Sequence, residues 1–273
     1  MRTSMVRSVR AAAAVAALLL GVAACGDSDD DGGEGAGPGG LDTVDSGTLT
    51  ACTDFPYAPF EYEEGGEFVG IDVDIVTAVA GKLDLEASFR DTDFDGIFGS
   101  LAAGNCDLVA SSVSITDERK ETMDFSTGYY EINQSLLVRT EDASRYADLE
   151  SLAGRTIGVQ SGTTGADYAK ENAEDATIRE FTGADELFTA LKAKQVDAVL
   201  QDLPVNAYHA ATAGDSEVSK VFSSDAKEEY GFAFRQDSDE LREAVDSALE
   251  ELKSDGTYAE ILEKYLGEAA GDE

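Results

Sequence analysis

From Thr48 onward, short apolar runs alternate with longer stretches in which apolar residues recur at helical spacing. Thr48 to Cys52 reads as a strand, and Asp54-Phe-Pro-Tyr-Ala-Pro-Phe60 as a loop punctuated by two prolines. Ile75, Val76, Val79 and Leu83 predict a helix over 73–83, Leu85 to Arg90 a strand, and Phe94 to Ala103 a second helix closed by Gly104. The next strand, Leu108 to Ala110, runs into the hydroxyls of Ser111, Ser112 and Ser114. Thr116-Asp-Glu-Arg119 follows as a helix start, with Thr116 as N-cap and two acids where the helix dipole favours them. Ser135 to Arg139 is extended again.

A second series then begins. Thr156 to Gln160 reads as a strand, Ser161 to Gly165 as a tight polar turn, and 166–172 as a helix. Thr177 to Phe181 is a strand, and 184–193 a helix. Val196 to Gln201 is an almost fully apolar strand that ends at Asp202, with Pro204 at a helix start, where its missing N–H costs nothing. Tyr230 to Phe234 is extended. Two amphipathic helices close the pattern, one carrying Leu241, Val245, Leu249 and Leu252, the other Tyr258, Ile261, Leu262 and Tyr265.

Strands alternating with helices predict parallel α/β sheets, and two similar series joined by extended connections predict two lobes. Open sheets of this kind bind ligands at the carboxyl ends of their strands. The stretch from Ser111 to Arg119 suits such a wall, since Arg119 offers a fixed cation whose fork can grip a carboxylate with two bonds. Alone, the stretch is equally compatible with a surface arginine on an ordinary strand–helix connection.

The segment ahead of this body changes the setting. Arg2, Arg7 and Arg10 precede an apolar core, Ala11 to Leu20, that is too short to span a membrane and has the form of an export signal. It ends in Val22-Ala-Ala-Cys25, which resembles the bacterial lipoprotein box. Residues 1–24 are therefore expected to be removed, and Cys25 to carry lipid at the outer face of the cell membrane. Residues 25–46 then form the anchor and a flexible acidic, glycine-rich tether, without the ordered spacing of a calcium loop. Across 273 residues, 20 basic side chains face 56 acidic ones, a net charge of −36 that becomes 17 − 56 = −39 once the signal arginines are gone. Nucleic acid is repelled by such a field. The acids are scattered among helices, and His209 is the sole histidine, so neither a His-based triad nor a multi-histidine metal site is expected. With Cys25 lipidated, Cys52 and Cys106 remain as a pair in an oxidising compartment, and a bridge between them is expected, with two buried thiols as the alternative. Neighbouring parallel strands can hold their Cα atoms more than about 7 Å apart, too far for a bridge.

Seven motifs then carry a resemblance. Asp54-x-x-Tyr-Ala-Pro-Phe-Glu61, Val69-Gly-Ile-Asp-Val-Asp-Ile75, Ser114-Ile-Thr-Asp-Glu-Arg119, Met123-Asp-Phe-Ser126-x-Gly-Tyr-Tyr130, Gly158-Val-Gln-Ser-Gly-Thr163, Val196-Asp-Ala-Val-Leu-Gln-Asp202 and Ser254-Asp-Gly-Thr-Tyr258 occur in order across Thr48 to Gly267. Together they resemble the polar amino-acid-binding proteins of ABC importers, solute-binding family 3. The resemblance implies an α/β, two-lobed periplasmic-binding-protein-like fold of type II, with two parallel-type sheets joined by two hinge strands. Lobe 1 would comprise 48–129 plus 230–267, lobe 2 134–226, and the hinges 129–133 and 226–230.

By the same resemblance, Arg119 would hold a ligand's α-carboxylate, with the Ser114 backbone N–H and Thr164 as further donors. Asp202 would receive the α-ammonium. Tyr57 and Phe94 would sandwich the side chain, with ordinary core packing as the alternative for both. Ser111 and Ser112 would lie beside the ligand, and Asp54 and Gln160 would set selectivity. The family's basic-amino-acid and glutamine binders both carry an acid at the position of Asp54. Glutamine binders usually have lysine and histidine where this chain has Gln160 and Gln201.

Arg119 and Asp202 balance a zwitterion, which leaves Asp54 as a carboxylate that a cationic side chain would complete. The expected ligand is thus a basic amino acid (arginine, lysine, ornithine or histidine), with glutamine as the alternative. The expected partners are the free amino acid, the importer's permease subunits and, through lipid, the membrane. The protein is expected to be a monomer without enzymatic activity, cofactor or metal. The rival readings are a fold-sharing dehydratase, a transglycosylase regulatory domain, which needs a second catalytic domain, and a sensor module feeding a membrane kinase.

Overall fold

Leu49, Ala51, Cys52, Leu108 and Val109 are all withdrawn from water, because the strands that carry them lie in the middle of a sheet covered on both faces. A computed structural model describes residues 40–222 and 228–267. The signal segment, Cys25, most of the tether and part of the second expected hinge lie outside the described residues. In chain order the strands are β1 (Thr48–Thr53), β2 (Tyr62–Glu64), β3 (Glu67–Val69), β4 (Glu86–Asp91), β5 (Leu108–Val109), β6 (Asp124–Phe125) and β7 (Tyr130–Ile132). They continue with β8 (Gln134–Arg139), β9 (Thr156–Gln160), β10 (Thr177–Phe181), β11 (Ala198–Asp202), β12 (Ser216–Phe222), β13 (Glu228–Tyr230) and β14 (Ala233–Phe234). The helices are α1 (Ile71–Lys82), α2 (Phe94–Ala102), α3 (Asp117–Lys120), α4 (Thr164–Asn172), α5 (Ala184–Lys192), α6 (Leu203–Ala213), α7 (Asp239–Asp255) and α8 (Thr257–Leu266).

Two five-stranded sheets form the two lobes, in the orders β4-β1-β5-β14-β6 and β10-β9-β11-β8-β12. Each is parallel over its first three strands and antiparallel beyond them, so the sheets are mixed rather than parallel throughout. The reason is connection length. Parallel neighbours need a crossover, supplied by helices such as α1, α2, α4 and α5. β8 and β14 instead follow β7 and β13 within one or two residues and enter their sheets in the opposite direction. β7 and β13 pair antiparallel, Tyr130 opposite Tyr230 and Ile132 opposite Glu228, as a two-stranded ribbon between the sheets.

The returning helices α7 and α8 belong to the first lobe. Leu241, Val245, Leu249 and Leu252 share one core with Ile75, Val76 and Val79 of α1, each fully buried aliphatic side chain contributing about 1.5–3 kcal/mol. A separate core in the second lobe gathers Leu136, Ile157, Val159, Ala198 and Leu200. Cys52 and Cys106 are joined by a disulfide with their Cα atoms 5.7 Å apart, tying the end of β1 to the residues just before β5.

Some elements escape the hydrophobic pattern. The β2–β3 hairpin turns at Gly65 and Gly66, both at positive φ, but its short strands are mostly exposed and polar. The edge strand β12 alternates without a continuous apolar face. The extended run after Glu228 breaks at Gly231, where a Cβ would lie 2.7 Å from the Ile115 side chain. α4 begins at Thr164 rather than at Ala166, because the Thr163 hydroxyl accepts from the Ala166 N–H and caps it.

Candidate ligand-binding site

The carboxyl ends of β1 and β5 on one lobe, and of β9 and β11 on the other, converge on one cavity. From the first lobe it is lined by Asp54 and Tyr57 after β1, Phe94 at the start of α2, Ser111, Ser112 and Ser114 after β5, and Arg119 on α3. From the second come Gln160 at the end of β9, Thr163 and Thr164 at the start of α4, and Asp202 at the end of β11. The ten residues singled out from the sequence as ligand contacts thus share one cavity; Thr163 is the addition.

Arg119 is positioned by its own short helix. Thr116 accepts from the Arg119 N–H at 3.1 Å, and the guanidinium lies over the rings of Phe94 (5.6 Å) and Phe98 (5.2 Å). Nη1 donates to the Ser114 carbonyl at 2.7 Å and Nη2 to the Gly162 carbonyl of the other lobe at 3.1 Å. Burial lowers its pKa, against the opposing pull of Glu228 and Asp202.

Asp202 sits at the far side. Its Oδ2 accepts from the hydroxyls of Tyr57 (2.6 Å) and Tyr230 (2.5 Å), and its Oδ1 from the Gln134 amide (2.6 Å). Two donors fill Oδ2, whereas Oδ1 keeps a lone pair for one more. Burial and then the charge of Glu228 push the carboxyl up to about 6, against these hydrogen bonds.

Asp54 is only 8% exposed and accepts from Gln160 Nε2 at 2.6 Å. Burial pushes it up to about 7; Gln160 opposes, while the charges of Asp91, Asp93 and Asp185 add to the rise. Gln160 in turn lies 3.3 Å from the Gln201 amide, whose carbonyl oxygen is 3.0 Å from the Tyr57 hydroxyl. A polar chain thus runs from Asp54 to Asp202 across the floor.

Sequence reasoning missed Gln134, Tyr230 and Glu228. The Glu228 carboxylate accepts from Thr164 Oγ1 at 2.6 Å, and Thr164 also lies 3.4 Å from Ser114 Oγ. Glu228 and Tyr230 are two residues apart on β13, and both reach side chains of the site from the ribbon. Their alternation in Glu228-Glu-Tyr230 was visible, but nothing local said which face met the cavity. Among the described residues, no group of three or more His, Cys, Asp or Glu side chains is placed to hold a metal ion.

A second layer lies behind the serines. Gly70 has φ +136°, and a Cβ there would fall 2.1 Å from the Phe60 carbonyl oxygen. Only glycine permits this approach, which lets Ile71 and Asp72 donate their N–H groups to Pro59 and Phe60 at 3.1 and 2.9 Å. Asp72 is thereby carried under the wall. It accepts from the Ser112 N–H at 2.8 Å and the Tyr129 hydroxyl at 2.7 Å, and the first bond braces Ser112 at φ +50°.

The sequence profile of the bacterial extracellular solute-binding proteins, family 3, matches residues 49–268. The chain is similar to the L-cystine-binding protein TcyJ of Escherichia coli K12, at 28% identity over 81% of this chain and 83% of that one. It is also similar to the lysine/arginine/ornithine-binding periplasmic protein of the same strain, at 32% identity over 80% and 87%. Among solved structures, an ancestral arginine-binding protein bound to arginine superposes with a TM-score of 0.77 at 36% identity, covering 81% of this chain and 99% of that one. The ancestral amino-acid-binding protein AncCDT-1, a precursor of cyclohexadienyl dehydratase, gives 0.74 at 36% identity, over 80% and 95%. With a two-lobed α/β fold, a cavity at the strand ends of both lobes and a profile match across the folded body, the chain belongs to the bacterial extracellular solute-binding proteins, family 3.

Proposed function

We propose that this protein captures a polar L-amino acid outside the cytoplasm, a basic one in preference, and delivers it to the membrane subunits of an ABC importer. The observation that carries the reading is the disposition of charge. Arg119 and Asp202, one from each lobe, line the same cavity, so a zwitterion would answer both charges, its carboxylate on the guanidinium and its ammonium on the free lone pair of Asp202 Oδ1. Asp54 and Glu228 make three acids around one arginine, an imbalance that a cationic side chain reduces. Phe94 and Tyr57 offer ring faces for an aliphatic stem or a guanidinium. The relatives named for binding lysine, arginine and ornithine, and the neighbour bound to arginine, support the same ligand class. The lipoprotein-box cysteine, Cys25, would hold the monomeric protein at the outer face of the membrane.

The test is a thermal-shift panel of the twenty common amino acids and ornithine on the folded body, followed by calorimetry. A ligand at a hundred times its Kd adds about 2.7 kcal/mol to stability. Stabilisation by arginine, lysine, ornithine or histidine, with the ligand recovered chemically unchanged, is the expected result. No response to any amino acid would overturn the reading, and a best response to glutamate or an aliphatic amino acid would overturn the basic preference. Glutamine as the best ligand would favour the alternative in which its amide donates to Asp54.

A further inference from the structure

The wall formed by Ser111 and Ser112 has a carboxyl behind it that the ligand does not meet. Glu61 is fully buried, and each of its oxygens takes one serine hydroxyl, Oε1 from Ser111 at 2.9 Å and Oε2 from Ser112 at the longer distance of 3.4 Å. Ser111 Oγ also accepts the Asp54 N–H at 3.0 Å, and the Ser112 N–H is bound to Asp72. A hydroxyl has a single proton to give. With both protons drawn back to Glu61, the serines can show the cavity only oxygen lone pairs.

We propose that Glu61 is a positioning residue that determines specificity: its ionised form fixes these two protons and turns the serine wall into acceptors alone, which admit a ligand side chain that donates hydrogen bonds and reject one that accepts them. The inference rests on the reading that the cavity holds an amino acid, and it adds a discriminator beyond the charge of Asp54. Burial and then the Asp72 charge push the Glu61 carboxyl well up, against the hydrogen bonds from Ser111 and Ser112, so the two-acceptor arrangement belongs to the ionised form, whereas a protonated Glu61 would itself donate to one serine. Packing alone would be served better by an apolar residue of the same size. What only a carboxylate supplies at this place is two acceptors and no donor, one for each serine.

The side-chain amide in Glu61→Gln keeps the shape but offers one acceptor and one donor. One serine must then accept from the amide and turn its own proton into the cavity. Two ligand pairs read this out, L-arginine against L-citrulline and L-glutamine against L-glutamate. In each, a donating group on the first is replaced by an accepting oxygen on the second. Calorimetry on the folded protein at pH 9, chosen to favour the ionised form of Glu61, should show the wild type preferring the donor of each pair it binds, and E61Q narrowing that preference by about tenfold or more, chiefly through weaker binding of the donor. Glu61→Met, which removes the buried charge, is the second variant should E61Q melt below the assay temperature, and the same narrowing is expected. In the Ser111→Ala, Ser112→Ala background, either change at position 61 should alter the preference less than twofold, because the groups it acts through are gone.

Equal loss of both members of a pair would make Glu61 merely structural and overturn the inference, as would an unchanged preference or a full effect without the serine hydroxyls. Those results leave amino-acid binding intact. A wild-type protein that binds none of the four, nor any other amino acid, overturns the underlying reading and this inference with it.

Discussion

Asp54 makes the proposed preference for a cation measurable through pH. Its carboxyl is held up at about 7 by burial, by the neighbouring charges of Asp91, Asp93 and Asp185, and in spite of the 2.6 Å bond from Gln160. A group with that value is ionised in only about one molecule in a hundred at pH 5 and in about half at pH 7. A cationic side chain must meet the ionised form, so binding below pH 7 has to expel a proton. The affinity for L-arginine should therefore rise by up to about fiftyfold from pH 5 to pH 7 and by only about twofold more above it. Asp202, at about 6, adds a second and lower step if it receives the ammonium.

Asp54→Asn removes the upper step and leaves the lower one. It should also cost L-arginine roughly 1.5–3 kcal/mol at pH 8, the worth of a charge-assisted contact, and cost L-glutamine much less. The assay is isothermal titration at pH 5, 6, 7 and 8 in two buffers of different ionisation enthalpy, so that released protons are counted directly. An arginine affinity that is flat over this range with no proton release, or a D54N profile that coincides with the wild type, would refute the placement of Asp54 against the ligand's cation.

Further outcomes follow from the same geometry. Arg119→Lys keeps a charge but loses the fork that joins Ser114 and Gly162 and the faces of Phe94 and Phe98; calorimetry should show amino-acid affinity down about 10- to 100-fold with an unchanged melting temperature. Replacing Cys52 and Cys106 together by serine opens a link across a sequence separation of 54, and should lower stability in urea unfolding by about 4 kcal/mol. Gly70→Ala would drive a Cβ to within 2.1 Å of the Phe60 carbonyl oxygen; a loss of about 3 kcal/mol is expected, read from the same denaturation. In the protein without ligand, Asp54 and Asp72 lie at about 7 and Asp202 at about 6, all above the ordinary value of 3.8. The folded state then holds protons that the unfolded state has released, so the contribution of these groups is fully present below about pH 4 and is lost as pH rises through those values, with Glu61, also pushed well up, adding to the loss. Thermal melts from pH 4 to pH 8 check that sign.

What could be read in the chain divides by the distance over which the cause acts. The wall from Ser111 to Arg119 was legible because each of its signals is local: an apolar strand, a run of hydroxyls, and a Thr116 cap with acids at a helix start. Gln160 and Asp202 were legible for a similar reason, since each ends an apolar run that had to be a buried strand. The matching motifs then singled out the residues that meet in the cavity. The antiparallel halves of the sheets were not legible, because direction depends on where the ribbon of β7 and β13 enters, and no periodicity encodes that. Tyr230 and Glu228 were missed on the same account: they reach the site only because that ribbon passes it.

Glu61 and Asp72 were hidden by composition itself. Both fall in the matching motifs, but among 56 acidic residues nothing local marked them as buried, since Glu61 precedes the mostly exposed β2 and Asp72 sits in the first turn of α1. The only local trace was Gly70, which marks a backbone approach too close for a side chain. That approach is what buries the pair, and burial changes the meaning of an acid. On the surface such a residue is solvated charge; behind Ser111 and Ser112 it fixes which way two hydroxyls point. The excess of acids therefore serves two separate ends in one molecule. Most of them keep the exterior negative; of the five buried ones among the described residues, Asp107 accepts from the Val44 and Thr50 N–H groups, while Asp54, Glu61, Asp72 and Asp202 line or brace a cavity in whose described lining Arg119 is the one basic side chain. On the proposed reading, a ligand brings one anion for Arg119 and donors for the rest, as a basic amino acid does.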